Sequence, residues 1–83
     1  MVTSQQVIEF CKHNQPWFKE RFEMYDVKRI HLFVYNNKIT WNEDKNIALE
    51  YEYLDSIIIN YYDVQSYESF TKKVNEVLIS IIN

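Results

Sequence analysis

The stretch Arg29-Ile30-His31-Leu32-Phe33-Val34-Tyr35-Asn36-Asn37-Lys38-Ile39-Thr40-Trp41-Asn42 decides the fold. Ile30, Leu32 and Val34 alternate with Arg29, His31, Phe33 and Tyr35, which is the period of a strand with two different faces. Asparagine is the best substitute for glycine at positive φ, so Asn36-Asn37 predicts a two-residue hairpin turn. That turn pairs Tyr35 with Lys38. It sets Val34 opposite Ile39 and Leu32 opposite Trp41 on one face, and Phe33 opposite Thr40 and His31 opposite Asn42 on the other. The agreement of apolar with apolar supports the turn.

Upstream, Thr3 and Gln6 have the spacing of a capping box, and Val7, Ile8, Phe10 and Cys11 form the apolar stripe of a helix. Asn14 interrupts this stripe and can cap a second helix, with Pro16 in its first turn and Phe18, Phe22 and Tyr25 along one face. The segment reads as a helix pair or as one kinked helix. Downstream, Asn42-Glu43-Asp44-Lys45-Asn46 is a polar loop. Ile47, Leu49, Tyr51 and Tyr53 then alternate with Ala48, Glu50 and Glu52 as a third strand. Ile57, Ile58 and Ile59 with Tyr61 and Tyr62 make a fourth, β-branched and aromatic, suited to a central place in the sheet. Ser66 caps a closing helix whose stripe is Phe70, Val74, Val77, Leu78 and Ile81, with Glu68 and Lys72 as an i, i+4 pair.

The expected architecture is a single α+β domain over residues 1–83. It is a four-stranded antiparallel meander with the N-terminal helix or helix pair and the C-terminal helix packed on one face. The covered face carries Ile30, Leu32, Val34, Ile39, Trp41, Ile47 and Leu49. The other, carrying Arg29, His31, Phe33, Tyr35, Thr40, Glu50, Glu52, Asn60 and Tyr62, is expected to stay partly open.

The composition of the 83 residues, 47 % hydrophobic and 17 % aromatic at a net charge of -3, supports a packed core. The chain has no glycine. A phosphate-cradling loop, a dinucleotide-binding fingerprint and a nucleophile elbow all need glycine at strained backbone positions, so these are excluded. One cysteine, Cys11, allows no internal disulfide. With no secretory signal and no run long enough to span a membrane, a soluble cytoplasmic protein is expected. Ten isoleucines, eight asparagines and seven tyrosines against one alanine match AT-rich coding, as in a low-GC bacterium or its phage.

Candidate chemistry is sparse. Cys11 and His13 match no structural zinc spacing, and Cys11 falls on an apolar stripe, where it reads as a buried thiol. His31 reads as a solvated strand residue rather than a general base. Glu50 and Glu52 stand about 7 Å apart on one strand face, within the range of an acid-base pair, but alternating glutamates are also what solubility asks of an exposed strand. No catalytic residue, cofactor or metal ligand is assigned, and the chain reads as a non-enzyme.

Charge and tyrosine usage say more. Residues 1–38 carry six bases and four acids, while residues 39–83 carry three bases and eight acids. An acidic, aromatic middle repels phosphate and attracts a cationic surface, so nucleic acid is disfavoured as a partner and a protein with a basic surface is expected. The basic-aromatic mixture of Lys12, Lys19, Arg21, Lys28 and Arg29 with Trp17, Phe18 and Phe22 is diluted by Glu20, Glu23 and Asp26. Seven tyrosines exceed what so small a core can bury with satisfied hydroxyls, so some must reach the surface, where such rings anchor interfaces. The sequence therefore points to a protein-binding module acting stoichiometrically, as an inhibitor, immunity protein or antitoxin. One concrete version is a phage anti-defence, anti-CRISPR-like protein that blocks a basic groove. The expected contacts are Glu43, Asp44, Glu50, Tyr51, Glu52, Asp55 and Tyr62. The competing reading is a homo-oligomeric structural or regulatory module, which allows a homodimer as well as a monomer.

Overall fold

The computed structural model describes residues 2–44 and 57–82, with only the backbone described over 77–82. Helix α1 spans Ser4–Met24, strand β1 Arg29–Tyr35, strand β2 Lys38–Asp44 and strand β3 Ile57–Ile59; a short 3-10 turn at Tyr61–Val64 leads into helix α2, Tyr67–Ile82. The molecule is α+β, with a three-stranded antiparallel sheet.

The hairpin forms in the expected register, from Tyr35↔Lys38 through Leu32↔Trp41 to Arg29↔Asp44. Asn36 and Asn37 both take left-handed conformations, at φ 51° and 61°, as the two central residues of a type I′ turn must. The Gln6 amide donates to the Asn37 carbonyl at 3.1 Å, tying this turn to the start of α1. At that start, the Thr3 hydroxyl accepts from the Gln6 backbone N–H at 3.1 Å and the Gln6 side chain accepts from the Thr3 N–H at 2.8 Å. The capping box thus satisfies two orphan donors reciprocally.

Helix α1 runs unbroken through Asn14 and Pro16, so of the two expected forms the single helix is found and the helix pair is not. Proline at 16 removes the donor that the Lys12 carbonyl would receive. Lys12 and Pro16 are both exposed, so this carbonyl faces water and the loss is small. Asn14 does not start a helix; its side-chain amide donates back to the Phe10 carbonyl at 2.9 Å. Only Phe18 of the expected Phe18, Phe22 and Tyr25 stripe is fully buried, and Tyr25 is exposed.

The meander is also corrected. Strand β3 pairs with β1 through Ile30↔Ile59 and Leu32↔Ile57, so β1 is central and β2 and β3 flank it. The expected strand over 47–53 lies outside the described residues. The strand expected over 57–62 is short, because Asp63 turns back to accept the Asn60 N–H at 2.8 Å and coils Tyr61 and Tyr62 into the 3-10 turn. Three side chains then take up carbonyls of this turn: Gln15 bonds Val64, Gln65 bonds Tyr61, and the Ser69 hydroxyl bonds Asp63. Ser66 caps α2 as expected, its hydroxyl accepting from the Ser69 N–H at 3.0 Å.

The core lies between the helices and one sheet face, where Val7, Cys11, Phe18, Ile30, Leu32, Ile59, Val64, Phe70 and Val74 are buried. Phe18 is its hub, with ring centroids 5.2 Å from Trp41, 5.5 Å from Trp17 and Phe70, and 5.9 Å from Phe10. These edge-to-face and tilted contacts join α1, β2 and α2. Phe18→Ala is expected to cost about 3–5 kcal/mol in urea unfolding. Asn36→Val, which forces a β-branched residue into left-handed backbone, is expected to cost about 1–2 kcal/mol without changing the register seen by NMR.

Candidate functional site

The acids singled out in the sequence are not gathered into one patch among the described residues. Glu43 and Asp44 are neighbours on β2, so their side chains leave opposite faces of the sheet. Glu43 receives both Nε and Nη2 of Arg21, each at 2.8 Å, in a bidentate pair between α1 and β2. Asp44 is buried, and its Oδ2 accepts from Arg29 Nε at 3.1 Å, Arg29 Nη2 at 2.8 Å and His31 Nε2 at 2.9 Å. The Asp44 carbonyl also accepts the Lys28 N–H at 2.7 Å, closing the open end of the hairpin. Glu50, Tyr51, Glu52 and Asp55 lie outside the described residues. Tyr62 sits in the 3-10 turn and is 68 % exposed.

His31 is 4 % exposed, not solvated as its place on the second sheet face implies. An ionised carboxylate can only accept, so in this contact the imidazole donates from Nε2. Arg29, His31 and Asp44 form a polar cluster on the face opposite the main core. Removing one partner of a buried ion pair leaves the other uncompensated. Cys11 is fully buried on the apolar stripe of α1, and burial pushes its thiol pKa up, with a hydrogen bond from Thr71 as a smaller opposing influence. A thiol so placed is inert rather than nucleophilic. Among the described residues no group of three or more His, Cys, Asp or Glu side chains is arranged to hold a metal ion. No helix of the described residues is long and apolar enough to cross a membrane.

The feature the sequence reading passed over lies on α1. Trp17, Arg21 and Tyr25 follow at i, i+4 and i+8, one above another on one side of the helix. The Arg21 guanidinium carbon lies 5.0 Å from the Trp17 ring centroid and 4.4 Å from that of Tyr25, so the cation is stacked between two rings. Hydrogen bonding to Glu43 raises the Arg21 pKa still further, which keeps the guanidinium charged and in place. Trp17 is braced against Trp41 and Phe18 at 5.9 and 5.5 Å while remaining 40 % exposed. The resulting ladder joins Trp, Arg and Tyr, the three residue types most enriched at energetic centres of protein interfaces. Its signal in the sequence was the repeated spacing of four.

Comparison with protein-family models, with curated protein sequences and with solved structures finds no match to this chain.

Asp44→Ala is expected to cost about 3–5 kcal/mol in chemical denaturation, because it strands Arg29 and His31 beside a buried void. Glu43→Gln, at a partly exposed pair, is expected to cost visibly less. A thiol reagent such as DTNB is expected to modify Cys11 only at the rate of unfolding, with no burst phase in the native protein.

Proposed function

We propose that this chain is a non-enzymatic protein-binding module that acts stoichiometrically, as an inhibitor, immunity protein or antitoxin. Blocking of a basic groove by a phage anti-defence protein is the most concrete version. The observation that carries the reading is the fate of the tyrosines. Tyr25, Tyr35, Tyr61, Tyr62 and Tyr67, every tyrosine among the described residues, are exposed, together with Trp17 and Met24. The described core is built instead from Phe, Ile, Leu, Val and Cys side chains. Large rings with few rotatable bonds bury much area on association for little entropy lost, so a surface that retains them is suited to binding.

Glu43 and Asp44 are spent within the chain, so contact with a cationic partner falls to Glu50, Glu52, Asp55, Tyr51 and Tyr62 and to the rings of α1. Capture from a lysate of a low-GC bacterium, followed by light scattering of the recovered complex, tests the reading. One protein retained in a defined ratio, and lost when Met24→Ala and Tyr25→Ala are combined or when Glu50, Glu52 and Asp55 are reversed to lysine, is the expected result. A stable homodimer that retains nothing else overturns it in favour of a self-associating module burying Phe33, Tyr35 and Tyr62.

A further inference from the structure

We infer that the C-terminal half of α1 is a docking surface for a lysine- or arginine-bearing segment of a partner protein, gripped by Glu20 and Glu23 around Met24. The inference rests on the binding reading above and gives it a place and a partner chemistry.

Three observations converge on it. Three of the four cations nearest these two acids in the sequence are engaged with other carboxylates, Arg21 with Glu43, Lys28 with Asp26 and Arg29 with Asp44, which leaves Lys19 beside them. Among the described residues Glu20 and Glu23 make no salt bridge, although the charge of Glu20 is a minor contributor to the raised Arg21 pKa. Both acids also stand where helix physics disfavours them. They are like charges at i, i+3, and Glu23 occupies the last turn, at the negative end of the helix dipole. Lys19, at i−4 from Glu23, offsets part of this within the chain, and a bound cation relieves what remains.

The third observation is the ground between the carboxylates. A shallow cleft of about 440 Å³ is lined by Gln15, Pro16, Lys19, Glu20, Glu23 and Met24. Met24 is 69 % exposed, the most open large apolar side chain described. A lysine or arginine can lay its aliphatic stem along Pro16 and Met24 and set its charged head between the two carboxylates. Lys19, half-buried, is the one cation of the lining and leaves the cleft net negative. Beside it the Trp17-Arg21-Tyr25 ladder offers rigid rings whose own cation is already neutralised by Glu43, so it does not repel the incoming charge. A negative cleft also excludes phosphate, which points to a protein segment and not to nucleic acid.

The test uses the full chain, amide-resolved NMR titration and the probe peptide acetyl-Arg-Leu-Arg-Leu-Arg-amide. Shifts centred on Glu20, Glu23 and Met24 are expected, with binding about tenfold weaker in the double variant Glu20→Gln/Glu23→Gln. The inference is overturned by no shift in the wild type, by shifts centred on residues 43–55, or by unchanged affinity in the variant. Repeating the lysate capture with this variant separates the two readings. A partner retained in full overturns the surface and leaves the binding function standing, whereas a wild-type chain that retains nothing overturns the function itself.

Discussion

Everything in this fold depends on the way Phe18 gathers four other rings around itself. A chain of this size with no disulfide has only packing to hold it, and small cores yield little net stability. Aromatic side chains bring the largest area per residue and prefer the tilted and edge-to-face contacts seen here. Phe10, Trp17 and Phe18 come from one helix, Trp41 from the hairpin and Phe70 from the second helix, so one cluster fixes three elements at once. It also reaches the surface. Trp17 touches the core with one part of its indole and stacks on Arg21 with another, so the exposed ladder inherits the rigidity of the interior. A partner meeting those rings pays little to order them, which is the physical meaning of a pre-organised interface.

The second sheet face is held by different means. Where the helix-covered face is mainly apolar, with Glu43 taken up by Arg21 of α1, the opposite face buries a carboxylate, an imidazole and part of a guanidinium in mutual contact. Such clusters contribute less to stability than apolar packing of equal volume, but they tolerate few alternative arrangements. Asp44 is the last residue of β2 and Arg29 the first of β1, so their pairing fixes the open end of the hairpin as Asn36-Asn37 fixes the closed one. A slip of one residue would put Asp44 on the apolar face, at a cost far above that of any exposed register error.

The hairpin was legible from sequence because two local signals agree there: a period of two and a turn that accepts positive φ. Helix caps were legible for the same reason, since Thr3, Gln6 and Ser66 act on backbone within a turn of themselves. What failed was non-local or turned on a single residue. Nothing in a run of isoleucines says which edge of β1 a returning strand will join, so a meander and the observed order read alike. The Tyr61-Tyr62 pair has strand-forming side chains, and only Asp63, folding back on Asn60, coils it. Asn14 in the middle of α1 suggested a break, with Pro16 in the first turn of a second helix, yet the cost of continuing through the proline depends on whether the deprived carbonyl faces water, which the three-dimensional placement of Lys12 decides.

The same distinction governs the charges. Read along the chain, Glu43 and Asp44 begin an acidic segment, while Glu20 and Glu23 sit among bases and cancel. Folding reverses this. Arg21 crosses 22 positions to Glu43 and Arg29 crosses 15 to Asp44, so each pair removes one acid from the middle of the chain and one base from its first half. Arg21 is thereby withdrawn from Glu20 and Glu23, and carboxylates that looked compensated face solvent with Lys19 as the one cation beside them. Net charge is unchanged by this exchange, but its location is not, and it is location within a Debye length that a partner feels. An interface read from linear charge runs is therefore unreliable wherever long side chains such as arginine can reach across elements. The acids to watch are those whose sequence neighbours have been paired away.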